Sequence, residues 1–415
     1  MKTESEPVYH PPGQAERLVS GQIAAKAGQF VSFLFAAAVG FALTFRASFI
    51  DIFPNTHLGV FLVFALFVIV LRQPRLMFCR EAGLYSVFVL YMFLQLLWTY
   101  DWELARNTLV PAINFVLILI LGASLIRYYD IRAILTGMFC GFGASALIYT
   151  STVGFPFRYP ADFSYNAVAL VYLFGLFLAL MTGYLRSSRF VFPVLAMVIM
   201  MHIVATTSIK TNLGIALGAM AGGLVYFRHI LRLMLRHAVL LMLLLSVLVY
   251  LVISNEALIA AVERGVNRVT LGVEILQARE DMPGYSAFEN RDQWRRAGLE
   301  GWSANPVFGN GVESFRWRYG TTSHSTPIDL LHNSGLIGFF LFYSVLVSVG
   351  LRLRFASSRC PRSLRLLFFG TLVCFTFITL SGTMHYNSFL AMFVAICVAT
   401  LNRYDSAGSG DSEAR

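Results

Sequence analysis

Charge is the scarcest ingredient of this 415-residue chain: 13% of its residues are Asp, Glu, Lys or Arg, while 57% are hydrophobic. Soluble proteins normally approach a quarter charged. The shortage excludes an ordinary water-facing shell and makes the bilayer the solvent for most of the surface. Cysteine is scarce too. Cys79, Cys140, Cys360, Cys374 and Cys397 fall in apolar runs or beside basic clusters, and none lies in the long polar stretch 254–326. That placement argues against an exported disulfide framework. No CxxC pair and no His/Cys spacing suited to a metal occurs, so neither a metal nor a cofactor is expected. No internal repeat is visible. Residues 1–27 lack the charged, apolar, small-residue plan of a cleaved signal peptide, so the first apolar segment is expected to be retained.

What is present in quantity is apolar runs. They fall at roughly 28–46, 52–71, 81–100, 108–126, 133–153, 165–185, 190–207, 211–227, 238–254, 327–350, 366–382 and 387–401. Spanning takes about 20 apolar residues, so the chain is expected to be an all-α polytopic membrane protein of about twelve transmembrane helices. The net charge of +10 does not indicate nucleic acid, because the basic residues sit in short clusters between these runs. With the N-terminus inside, twenty Lys and Arg fall on interior segments and four (Arg46, Arg106, Arg158 and Lys210) on short exterior turns. That is a strong positive-inside bias. It assigns 1–27 and 402–415 as cytoplasmic tails, 28–254 as helices one to nine and 327–401 as helices ten to twelve. Residues 255–326 form one large exterior loop, too small to be a stable domain of its own and expected to pack on the helices as a cap.

Chemistry-bearing residues concentrate in and just after that loop. The stretch runs Arg291-Asp-Gln-Trp294, Asn305-Pro-Val-Phe-Gly309-Asn-Gly311-Val-Glu-Ser-Phe315, His324-Ser-Thr-Pro-Ile-Asp329, then His332-Asn-Ser-Gly335-Leu-Ile-Gly338. Gly309 and Gly311 permit positive φ and a sharp turn. Thr326-Pro327-Ile328-Asp329 reads as a helix start, with Thr326 as N-cap, Pro327 as first helical residue and Asp329 as the capping-box partner. His324 then lies just ahead of a helix N-terminus, where the dipole favours anions and disfavours imidazolium. A neutral imidazole able to accept a proton is the expected state. His332, two turns further on, is expected to bond a neighbouring helix. Arg295 and Arg296 read as surface charges, and Trp294, Trp302 and Trp317 as interfacial anchors.

The order and spacing of Arg291, Pro306, Gly309, Gly311, Phe315, His324, Gly335 and Gly338 resemble the signature region of the O-antigen ligase and polymerase superfamily. Two fainter echoes lie upstream: Asn166 just before an apolar run, and the turn Thr206-Thr-Ser-Ile-Lys210. The likeness covers about residues 160–345. Ser325 stands where the family commonly has Asn, Asn333 where it has Glu, and Lys210 where it has Arg. Lipid A-core ligase, chain polymerase and protein O-glycosyltransferase therefore all stay open.

The resemblance implies a metal-independent glycosyltransferase of the bacterial inner membrane, with its site facing the periplasm. The donor would be a glycan on undecaprenyl diphosphate, and the acceptor a hydroxyl of lipid A-core or of a growing glycan. His324 would be the base. Arg291 and Lys210 would hold the diphosphate, with Arg264, Arg268 and Asn166 as further contacts. The alternative from another class is a twelve-helix transporter, though such carriers usually show repeated halves and midplane charges.

Overall fold

The computed structural model describes residues 14–48, 53–73, 75–153, 165–186, 191–205, 208–236, 285–356, 358–380 and 382–406, with isolated positions between 242 and 263. Among these residues the chain is helical, with no strand. The helices are α1 (Gln14–Ser48), α2 (Asn55–Arg72), α3 (Arg80–Gln95), α4 (Trp102–Tyr128), α5 (Ile131–Val153), α6 (Tyr165–Arg186), α7 (Val191–Ala205) and α8 (Ile209–Arg236). After the loop region come α9 (Tyr285–Ala304), α10 (Ser314–Tyr319), α11 (Thr326–Phe355), α12 (Arg362–Thr379) and α13 (Ser388–Ser406).

Eight of them are long and apolar enough to cross a membrane: α2, α4, α11, α12 and α13 entire, and Lys26–Ala47, Ile131–Thr152 and Val168–Leu185 within α1, α5 and α6. The protein is an all-α multi-pass membrane protein. The remaining expected spans fare differently. The run 81–100 ends as a helix at Gln95 and then turns. Sixteen residues reach about 24 Å, short of a ~30 Å hydrocarbon core. The run 190–207 yields the 15-residue α7. The run 211–227 is part of α8, whose last two turns carry Arg228, Arg232 and Arg236, and 238–254 lies almost wholly outside the described residues. Helix α1 starts inside the expected 1–27 tail, and α13 runs into the expected 402–415 tail.

The core sits around α4 and α13. Helix α13 buries every side chain from Phe389 to Leu401, and α4 buries all of Ile118–Ile126. A helix apolar on every side belongs at the centre of a bundle. The two pack directly, at Gly122 against Met392 and Ala395. Asp101 starts α4 properly, its Oδ1 accepting the Glu103 and Leu104 N–H groups at 2.8 and 3.0 Å. That cap satisfies backbone donors at the helix end.

Other seams use small residues, since between apolar helices in lipid it is close van der Waals contact that holds. Along the α1–α5 contact, a Cβ placed on Gly141 would lie 2.0 Å from the Ala37 carbonyl oxygen, and one on Gly137 2.3 Å from that of Phe33. One buried ion pair ties α3 to α11: Arg352 Nε lies 2.7 Å from Glu81 Oε1, which also accepts Ser348 Oγ at 2.6 Å, while Arg352 Nη1 donates to Asn402 on α13.

The α1–α5 seam has no slack for a side chain. Gly141→Leu is therefore expected to pry the helices apart and destabilise the protein by about 1–3 kcal/mol. A thermal midpoint in detergent identical to that of the parent protein would refute the close approach.

Candidate functional site

The site is built around a break in α11. At Gly335 the backbone takes φ 63° and ψ −166°, outside helical space, in a region essentially reserved for glycine. The break frees backbone groups on both of its sides, and the 305–311 loop takes them up. Asn310 and Gly311 N–H groups donate to the His332 and Asn333 carbonyls at 2.9 Å each. In return Leu336 N–H donates to Pro306 O at 2.9 Å and Ile337 N–H to Val307 O at 3.3 Å. The strands of chain lie so close that a Cβ on Gly309 (φ 72°) would sit 2.4 Å from the Asn333 oxygen.

Helix α3 staples this junction from the side. The Tyr91 hydroxyl donates to Phe308 O at 2.8 Å, and Gln95 Nε2 reaches both Phe308 O and Asn333 O. The pattern Pro306–Gly309–Gly311–Gly335 in the sequence is thus one junction, read at its two ends.

His324 stands just ahead of α11. The helix begins one residue earlier than its sequence suggests: Ser325 is the N-cap and Thr326 the first helical residue. The Thr326 hydroxyl is taken by a distant partner, donating to Gly382 O at 2.5 Å and accepting Met384 N–H at 2.8 Å. His324 itself has φ 57°, one of two non-glycine residues with positive φ among those described, an uncommon conformation for a side-chain-bearing residue. Its half-buried ring faces Trp294, with ring centroids 5.5 Å apart.

Three cations act on this ring. Burial first, then the charges of Lys210, Arg291 and Arg295, hold the His324 imidazole below its ordinary value of 6.5. Lys210, at the start of α8, is in turn pushed down to about 8 by burial and by Arg291 and Arg295. Helix α8 thus brings Lys210, and α9 brings Arg291 and Arg295, to one place beside His324. The positive end of α8 adds to the same field.

Arg295 is not the surface charge that its sequence suggests. Spacing held the missing signal, since Arg291, Trp294, Arg295 and Gly298 recur at i, i+3, i+4 and i+7 and share one face of α9. That face meets α11, where a Cβ on Gly298 would lie 2.4 Å from Ile328. Arg296 points elsewhere and pairs with Asp292 at 2.7 Å. Arg264 and Arg268 lie outside the described residues. So does the side chain of Asn166, which is the second residue of α6.

His332 is fully buried. Its Nδ1 lies 3.2 Å from Ser314 Oγ on α10, and its Nε2 has no hydrogen-bond partner and abuts Gly301. It joins α9, α10 and α11, away from the cations. The other two tryptophans are also engaged within the protein, Trp302 Nε1 donating to Pro306 O at 2.9 Å and Trp317 stacking on Tyr100 at 4.6 Å.

Behind the 321–325 loop lies a polar crevice that the sequence did not announce. It is lined by Glu313, Arg316, Thr322, Asp329, Thr383 and His385. Burial and then the nearby Asp329 push the Glu313 carboxyl up against the pull of Thr108, whose hydroxyl donates to Glu313 Oε1 at 2.6 Å. Burial pushes the His385 ring down to about 3, so it is neutral. Glu313 and His385 are 72 positions apart in the chain, and only folding joins them. Among the described residues no group of three or more His, Cys, Asp or Glu side chains is disposed to hold a metal ion.

Chemically, the arrangement offers a neutral base in contact with an aromatic face and a concentrated positive field that a multiply charged anion would neutralise. No protein-family model matches the chain, and no curated protein matches it.

Because the folded protein favours neutral His324, this group contributes stability above its ordinary 6.5 that is lost as pH falls through its lowered value. If the imidazole is the base, kcat/KM rises along a limb below 6.5. It falls again above about 8 as Lys210 loses its proton. Lys210→Met is expected to move the acid limb upward and abolish the alkaline one. A pH profile unchanged by that substitution would show that Lys210 does not act on the ring.

Proposed function

We propose that this protein is a glycosyltransferase of the O-antigen ligase and polymerase type, working on a donor glycan carried by undecaprenyl diphosphate. The observation that carries the reading is the convergence of Lys210, Arg291 and Arg295 on a half-buried neutral imidazole. The order of Arg291, Pro306, Gly309, Gly311, Phe315, His324, Gly335 and Gly338, which resembles that superfamily, supports it.

In the proposed reaction the acceptor hydroxyl gives its proton to His324 and its oxygen attacks the anomeric carbon of the donor sugar. The bond from that carbon to the diphosphate breaks, and the electron pair leaves with the lipid diphosphate. Its developing negative charge is met by the Lys210 ammonium and the Arg291 guanidinium. Arg295, one turn along the same helix, shares in that field. Arg264, Arg268 and Asn166 remain proposed donor contacts. Trp294, against His324, offers an apolar face on which a sugar ring can stack.

The rest of the reading is topological. We place the protein in the bacterial inner membrane with about twelve spans. Both termini lie in the cytoplasm, and residues 255–326 face the periplasm, where the lipid-linked glycan is presented. The positive-inside distribution supports this orientation. Within the superfamily we favour the ligase that transfers O-antigen to lipid A-core, ahead of the polymerase.

Purified protein given lipid-linked glycan and acceptor is expected to form product without an ion gradient, and His324→Ala to lower kcat by about 10²–10⁴-fold while still inserting in the membrane. Normal transfer by His324→Ala would overturn the assignment of the base. In a deletion strain, free lipid-linked polymer with unmodified core identifies the ligase, and single repeat units on the core identify the polymerase.

A further inference from the structure

We infer that Asp329 is the positioning residue for His324, holding the imidazole in its working orientation through Ser323 and the 382–384 loop. The role rests on the transferase reading proposed above. It starts from an oddity of the backbone, since His324 is left-handed although it carries a side chain. Such a conformation persists only where neighbouring structure enforces it, and the enforcing contacts can be followed one by one.

The Ser323 side chain closes a ring around His324. Its Oγ donates to Ser325 O at 3.0 Å and accepts Ser325 N–H at 3.2 Å, so the residue between has no room to relax to an extended form. Ser323 is anchored by Asp329: its N–H donates to Asp329 Oδ1 at 2.9 Å. The second carboxylate oxygen accepts the Thr383 hydroxyl at 3.1 Å. Thr383 belongs to the segment that Thr326 grips on either side, at Gly382 O and Met384 N–H. Ser323, Ser325, Thr326 and Asp329 are all buried. Loss of the carboxylate would therefore leave the Ser323 N–H and the Thr383 hydroxyl without partners in a place water does not readily replace them.

The chain of contacts runs from the 382–384 segment through Asp329 and Ser323 to the backbone of His324. Lys210, Arg291 and Arg295 lie outside this chain of contacts, and their charges act on the ring itself. Asp329 reaches His324 through these backbone contacts, so its effect is one of placement. Two consequences separate it from a residue that merely stabilises the fold. Donor binding, which depends on the cations, is left intact while turnover falls. An isosteric amide, able to accept the Ser323 N–H, restores turnover.

The test compares Asp329→Ala, Asp329→Asn and Thr383→Val with the parent protein. We expect Asp329→Ala to lower kcat about 10²-fold, the scale of an ångström-sized misplacement, with donor KM and the acid limb of the pH profile unchanged, and Asp329→Asn to regain most of the loss. Independently of turnover, the rate at which diethylpyrocarbonate modifies His324, followed by peptide mass spectrometry, is expected to rise several-fold in Asp329→Ala and return toward the parent rate in Asp329→Asn.

If Asp329→Ala does not fold, Thr383→Val, which removes only the outer tie, is expected to show the same split with a smaller loss. Equal loss in the Ala and Asn variants with a displaced acid limb would overturn the inference in favour of a direct charge effect. Parent-like turnover and modification rate in Asp329→Ala would overturn it outright. Should the parent protein transfer no glycan at all, the transferase reading fails and the modification series alone decides the positioning role.

Discussion

Within a bilayer a backbone amide or carbonyl has no water to fall back on, and each one left alone costs several kcal/mol. Most helices of this protein meet that demand internally. Helix α11 does not, because it breaks at Gly335. The break is tolerable only because residues 306–311 of the preceding loop hand their own donors and acceptors to it, two in each direction. Much of the site depends on this exchange. It fixes the loop against the helix and presents Asn310 to the Gly301 carbonyl of α9. It also sets the stretch of chain from α10 to His324 that must bridge between them. Tyr91 and Gln95 on α3 complete the junction by reaching the Phe308 and Asn333 carbonyls.

The second organising feature is the grouping of charge. The charges of Lys210, Arg291 and Arg295 bear on His324, while the buried carboxyls of Glu313 and Asp329 line a crevice with Arg316 and neutral His385. The acidic groups are occupied by hydroxyl and backbone donors from Thr108, Ser323 and Thr383, and Asp292 is engaged with Arg296. Like charges held near one another cost free energy that a bound anion would return. The imidazole is neutral and lies within reach of all three cations.

Much of this was legible in the chain itself. The apolar runs located most of the helices, and the paired glycines at 309 and 311 announced left-handed turns that the structure contains. The motif residues Arg291 and His324 do come together, and Lys210 joins them from over 80 positions away. What the sequence could not convey depends on partners remote in the chain. Thr326 looks like an N-cap, but its hydroxyl is claimed by Gly382, so the cap falls to Ser325. The run 81–100 looks like one span, but Gln95 is spent on the loop. Arg295 looks like a solvent charge until Arg291, Trp294 and Gly298 are seen to share its face of α9. The crevice of Glu313, Asp329 and His385 joins three segments with no local pattern in common.

The reciprocal bonding between the 305–311 loop and the broken helix has a mechanical corollary. Lifting that loop would break four backbone hydrogen bonds at once, two of them at the carbonyls of His332 and Asn333. The 305–311 loop therefore serves as a fixed floor and is no swinging door. What approaches His324 meets instead the charges of Lys210, Arg291 and Arg295, which act on its ring.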